Sequence, residues 1–240
     1  MGNISMTDIY FIRHGQASFG TRDYDRLSDL GKQQAQILAD YLIDMEAYFP
    51  VIFSGSKQRQ IDTAKIVMNR FKDNDVGTHF KILPELDEFD VFNLLKNCKD
   101  DIIQDDPSIS VDLDRSLVDY QSFQKLFVKI VQWSLSKNYD GLNSENFQTF
   151  KNRVKSGIQT IINESHACKK VAVVTSGGVL SIAMQMACGL SDTKVIDLLW
   201  YFYNTSITVF YVDGNRLELK LDNSVVHLKN LDNHELLTYV

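Results

Sequence analysis

Short apolar runs alternate with stretches of helical spacing along most of the chain. Residues from about Asp8 to Arg13 read as a buried strand. "LSDLGKQQAQILADYLIDM" follows, with Ile37, Leu38, Tyr41 and Leu42 on one apolar stripe and Ser28 as candidate N-cap. "YFPVIFSG" predicts a second strand, "SKQRQIDTAKIVMNRF" a second helix capped by Ser56, and "THFKILPEL" a third strand. From about Asp90 to Leu142 the rhythm loosens into acidic residues and helical patches, interrupted by Pro107, with "YQSFQKLFVKIVQWSLSK" the clearest helix. "SENFQTFKNRVKSGIQTII" restores helical spacing. "KKVAVVTSGG" is a β-branched run ending in paired glycines, and "VLSIAMQMACGL" a helix. "NTSITVFYVDGNRLELKLD" alternates about an Asp-Gly turn, the pattern of a hairpin.

This order predicts an α/β fold: a three-layer sandwich with a mainly parallel central sheet and helices on both faces. We expect one domain over residues 1–240, with a mostly helical cap inserted at about 90–142. Ligands of such sheets bind beyond the carboxyl ends of the strands. There the loop at Arg13 and His14, the loop "FSGSKQR" and the loop "TSGG" are expected to converge.

Composition narrows the function classes. A net charge of -6 argues against a general binder of nucleic acid or of membrane surfaces, which would show a basic face. Cys98, Cys168 and Cys188 have neither CxxC nor metal-ligand spacing and read as reduced thiols, so a cytoplasmic protein is expected. No apolar run approaches a membrane span, and the N-terminus lacks a signal-peptide layout. "MGNISM" begins like a myristoylation site but has Met6 where Ser or Thr is needed.

The strand-end residues carry the chemistry. Arg13 supplies a planar, permanently charged fork that matches phosphate oxygens. His14 offers a ring nitrogen able to attack phosphorus when neutral, and Gly15 lets the backbone turn beside a ligand. Arg59 brings a second guanidinium near a helix start, where free N–H groups favour anions. Thr175 to Gly178 offers hydroxyls and close amides. Together these residues suit a tetrahedral dianion, and phosphate is the obvious one. Blander roles stand beside these: Arg59 facing solvent or pairing with Asp62, Ser176 capping its helix, Gln16 and Ser18 binding only backbone, Arg153 in a structural ion pair.

"RHGQASFG", "LSDLGKQQA", "SGSKQRQIDTA", "LDEF", "SENFQTFKNRV" and "VVTSGGVLSIA" resemble, in order from about Ile9 to Gly189, the histidine phosphatase superfamily of phosphoglycerate-mutase-like proteins. The resemblance implies that His14 is a nucleophile forming a phosphohistidine and Glu88 the proton donor, with Glu85, Asp87 and Asp90 as neighbouring alternatives. Arg13, Arg59, Ser176, Gly177, Gln16 and Ser18 would line the phosphate. No metal or other cofactor is implied. One departure stands out: the family's late strand ends in His-Gly, and here the position is Ser176, a neutral donor in place of a charged one. His166 and His79 precede their strands and belong at the far end of the sheet. His227 and His234 lie in a tail whose path the sequence does not fix. "SGSKQR" also has Ser56 where the family has proline.

The expected function is a metal-independent phosphomonoesterase acting on a phosphorylated small molecule or phosphoprotein, weakened by Ser176. The alternatives are a phosphate-ligand or phosphoprotein binding module and a phosphoglycerate mutase. The sequence does not fix the oligomeric state.

Overall fold

The computed structural model describes residues 7–18, 24–116, 119–137, 144–214, 216–229 and 233–239. Phe19 and Gly20 of the first loop, Asn215 of the hairpin turn, Leu142 at the expected cap boundary and the N-terminal "MGNISM" lie outside them. The chain divides into two compact units, Met1–Glu88 with Val154–Val240, and Phe89–Arg153.

The first unit is built on six strands: β1 (Thr7–Arg13), β2 (Val51–Ser54), β3 (His79–Ile82), β4 (Lys170–Thr175), β5 (Ile207–Asp213) and β6 (Arg216–Ser224). They lie in the order β3-β2-β4-β1-β5-β6. The pairs from β3 through β1 are parallel, and β5 runs against both of its neighbours. The sheet is therefore mainly parallel, as the βα alternation predicts. β5 and β6 form the expected hairpin.

Helices α1 (Asp29–Asp44) and α2 (Gln58–Lys72) pack together on one face of the sheet. Their core joins Leu38, Leu42, Val67 and Phe71 to Ile12, Ile52 and Val174. Helix α7 (Gly177–Cys188) packs against β1 and β6. Alternation along β1 therefore turns Ile12 toward α1 and α2 and its successor, Arg13, to the opposite face.

Ser28 caps α1 as expected, its hydroxyl accepting from the Gly31 amide at 3.0 Å. The expected cap of α2 is corrected. Ser56 gives its amide and hydroxyl to the Asp87 carboxylate at 2.5 and 2.6 Å, a charged acceptor that outcompetes the helix end. Lys57 takes the N-cap position, and the Gln58 amide is met by the Asp25 carboxylate at 2.8 Å. The paired glycines also lie inside the first turn of α7 rather than ahead of it.

In the second unit, α3 (Val91–Asp105), α4 (Ser108–Ser116), α5 (Tyr120–Ser136) and the start of α6 (Phe147–Ser165) are the main elements. Leu94, Ile102, Phe127, Ile130 and Phe150 are buried, and Phe89 meets the Phe127 and Phe150 rings at 6.4 and 5.5 Å. Pro107 separates α3 from α4. Two short α-helices, α8 (Asp192–Asp197) and α9 (Val226–Lys229), and two 3-10 turns at Pro84–Leu86 and His234–Leu236 are also present; the apolar pattern did not announce them. No helix among the described residues is long and apolar enough to cross a membrane.

Candidate active site

The register of the sheet brings three loops to one rim. Arg13 is paired with Thr175 and Ser54 with Val174, so β1, β4 and β2 end side by side. The His14 amide then reaches the Thr175 carbonyl at 2.9 Å and the Gly55 amide the Val174 carbonyl at 3.3 Å. The groups that gather at this rim belong to the first unit; Asp90, Asn93, Glu145 and Arg153, also described below, belong to the second.

The RHG turn and the start of α1 require each other's glycines. A Cβ on Gly15 would stand 2.4 Å from the Gly31 carbonyl oxygen, and one on Gly31 would stand 2.1 Å from that of Gln16. Only bare backbones approach so closely. The Gly15 amide donates to Thr63 Oγ1 at 3.0 Å, and Thr63 passes its own proton to the Arg59 carbonyl at 2.8 Å. The first turn of α2 is thereby fastened to the His14 loop.

His14 is 4 % exposed. Its Nε2 lies 3.0 Å from Arg59 Nε, and its Nδ1 lies 2.7 Å from the Gly15 carbonyl. A guanidinium can only donate and a carbonyl can only accept. The proton of the neutral ring therefore sits on Nδ1, and Nε2 carries the lone pair. Burial, then the Arg59 and Arg13 guanidiniums, hold the imidazole well below its ordinary value, outweighing the Gly15 hydrogen bond. The ring is neutral near pH 7, in the form that can act as a nucleophile.

Arg13 lies on the α7 side. Backbone carbonyls orient its fork: Nη1 donates to Phe202 O, and Nη2 to Tyr239 O at 2.7 Å. Arg59 is 7 % exposed and pairs through Nη1 with Asp25 at 2.5 Å, its guanidinium carbon 5.7 Å from the Tyr24 ring centre. The suggested partner Asp62 instead accepts from Gln58 Nε2 at 2.6 Å. Burial pushes the Tyr24 phenol up, against the lowering by both guanidiniums.

The acidic cluster resolves itself by contacts. Asp87 holds Ser56, Asp90 caps α3 through the Asn93 amide, and Glu88 Oε2 accepts from the Gly178 amide at 3.0 Å. The Glu88 carboxylate is thus bonded to the α7 N-terminus. Ser176 precedes α7 without a side-chain cap bond and instead accepts from Gln60 Nε2 at 2.8 Å. A Cβ on Gly177 would meet Leu199 O at 2.6 Å and Arg13 Nε at 4.0 Å, so a bare backbone is needed where α7 starts beside Arg13.

Gln16 and Ser18 sit differently. Gln16 accepts from Ser28 Oγ at 2.7 Å through Oε1, and its amide reaches Gln34 Oε1 at 2.9 Å; the Ser18 amide reaches the Arg26 carbonyl at 2.8 Å. These bonds tie the first loop to residues 26–28 and to α1. Arg153 forms a two-bond pair with Glu145 at 2.6 and 2.8 Å.

His227 reaches the back of the motif. Thr205 gives its hydroxyl proton to Asn204 O at 2.7 Å and so accepts from His227 Nε2 at 3.1 Å. Thr205 also sends its amide to Arg13 O at 3.0 Å, while Asn204 Nδ2 donates to His14 O at 3.0 Å. Thr205 is held at φ 57°, a left-handed conformation costing a β-branched residue about 1 kcal/mol or more. Asp25, Asn204, Thr205 and Tyr239 lie outside the motifs quoted for the resemblance; Gln60 and Thr63 lay within the quoted "SGSKQRQIDTA" without a stated role.

The model of the family described as histidine phosphatase superfamily (branch 1) matches residues 9–225. The chain belongs to that superfamily. Solved structures share the fold across the histidine phosphatase chain. Bacillus stearothermophilus YhfR is 23 % identical, with 92 % of this chain and 98 % of that one covered and a TM-score of 0.63. Alpha-ribazole phosphatase from Shigella flexneri is 21 % identical, with 91 % and 96 % covered and a TM-score of 0.57. A mycobacterial glucosyl-3-phosphoglycerate phosphatase solved with VO3 is 19 % identical, with 91 % and 99 % covered and a TM-score of 0.59. The comparison with curated proteins finds no match.

Proposed function

We propose that the protein is a metal-independent phosphomonoesterase working through a phosphohistidine at His14. The carrying observation is the neutral, buried His14 ring, with its lone-pair nitrogen 3.0 Å from Arg59 Nε and its proton committed to Gly15. A phosphoryl oxygen accepting from Arg59 Nε releases the Nε2 lone pair for attack. Nε2 then bonds to phosphorus as the bond to the leaving oxygen breaks, and Glu88 gives that oxygen its proton. Water attacks phosphorus in the second step, Glu88 takes the water proton, and cleavage of the N–P bond restores the neutral ring. Arg13 and Arg59 offset charge on the equatorial oxygens, with the amides at the α7 start as further donors. The substrate class is a phosphorylated small molecule or phosphoprotein.

Hydrolysis of p-nitrophenyl phosphate in excess chelator, compared between wild type and His14→Ala, tests the proposal. Turnover by the wild type alone is expected. Equal rates in both proteins, or activity abolished by the chelator and restored by a divalent ion, contradict it.

A further inference from the structure

Ser176, placed where the family has a histidine, has a partner of its own. Gln60 and Ser176 are both buried, and Gln60 Nε2 lies 2.8 Å from Ser176 Oγ. The orientation of the amide is set by its other contacts. Oε1 accepts from the Lys57 amide at 3.3 Å, which can only donate, and Nε2 donates to the Leu86 carbonyl at 3.3 Å, which can only accept. Space for the amide is provided by Gly55, where a Cβ would stand 2.0 Å from Gln60 Oε1.

The consequence falls on the hydroxyl. Ser176 Oγ receives a hydrogen bond from Gln60, so its own proton points elsewhere. It does not cap α7, and the Leu86 carbonyl beside it already accepts from Thr175 Oγ1 at 2.7 Å. Among the described residues no hydrogen bond uses the Ser176 proton. The neighbours Arg59 and Gln60, in the first turn of α2, thus reach His14 and Ser176 on adjacent strand ends. We infer that Gln60 is a positioning residue that makes the Ser176 hydroxyl a directed donor to the phosphoryl group held by Arg13 and His14. The inference rests on the phosphoryl-transfer reading above. It also changes the meaning of the serine, which becomes half of a two-residue donor rather than a defect.

A double-mutant cycle on kcat/KM and on vanadate inhibition tests it, using Gln60→Met, Ser176→Ala and the pair. Each single change is expected to lower kcat/KM and weaken vanadate about tenfold. The double variant should be no worse than Ser176→Ala, because Gln60 acts only through that hydroxyl. A structural role predicts instead that the two losses multiply, with Gln60→Met lowering stability in both backgrounds. Multiplying losses overturn the inference. Wild-type kcat and vanadate affinity in Ser176→Ala overturn it too, and that arm stands even where Gln60→Met fails to fold. A wild type without phosphatase activity marks failure of the phosphoryl-transfer reading itself. An active wild type with multiplying losses marks failure of the Gln60 role alone.

Discussion

Replacing Gly177 by alanine perturbs the site through one contact whose size can be read directly. The new Cβ stands 2.6 Å from the Leu199 carbonyl oxygen, whereas ordinary contact begins at 3.4 Å. The obstacle is backbone, so α7 must retreat by about 0.8 Å or the 199 turn must yield, an overpacking cost of about 1–3 kcal/mol. The same retreat lengthens the 3.0 Å bond from the Gly178 amide to Glu88 and shifts the α7 amides relative to Arg13. Displacements near 1 Å in a catalytic constellation reduce rates by about a hundredfold, and we expect a kcat loss of about ten- to a hundredfold. Steady-state kinetics on p-nitrophenyl phosphate with urea unfolding measure both effects. Gly77→Ala is the matched control, since nothing lies within 4 Å of a Cβ there. A Gly177→Ala protein with wild-type kcat and stability would refute the assigned packing of the α7 start.

Two further outcomes separate roles within the site. Glu88→Gln should lose about a hundredfold or more on an alkyl phosphate, whose leaving oxygen needs a proton, and far less on p-nitrophenyl phosphate. Equal losses on both substrates would remove Glu88 as proton donor. Burial lowers His227 from 6.5 to about 4, so the unfolded chain binds that proton first as pH falls. Its stability contribution is whole above pH 6.5 and is lost between there and about pH 4, at most about 3 kcal/mol. Among the described residues the buried Nδ1 has no hydrogen-bond partner, so a proton there stays unsolvated. His227→Gln should flatten the fall in urea midpoint over that range; an unchanged pH profile contradicts this.

Much of the sheet was legible because β1, β2, β4 and β5 are largely buried and read as β-branched or aromatic runs, while the exposed β6 showed through its alternation about the Asp-Gly turn. "KKVAVVT" and β4, Lys170–Thr175, differ by one residue at the start. Helix α8 and the short α9 were not legible, since six or four residues span too few turns to form a stripe. For the candidate site, Arg13, His14, Arg59, Glu88, Ser176 and Gly177 could be singled out because motif spacing marks them. Their supports escaped detection because each joins distant positions. Asp25 meets Arg59 across 34 residues, Gln60 meets Ser176 across 116, and Tyr239 meets Arg13 across 226. The missed α2 cap has the same origin. Ser56 has the correct local chemistry for a cap, but Asp87, 31 residues away, claims it.

The most direct measurement is a rapid quench of the enzyme turning over a phosphomonoester labelled on phosphorus, followed by peptide mapping in alkali. The account predicts an acid-labile, alkali-stable label on the ring of residue 14 that appears before product in the first turnover. Turnover without protein-bound label, or label on a different side chain, would contradict it.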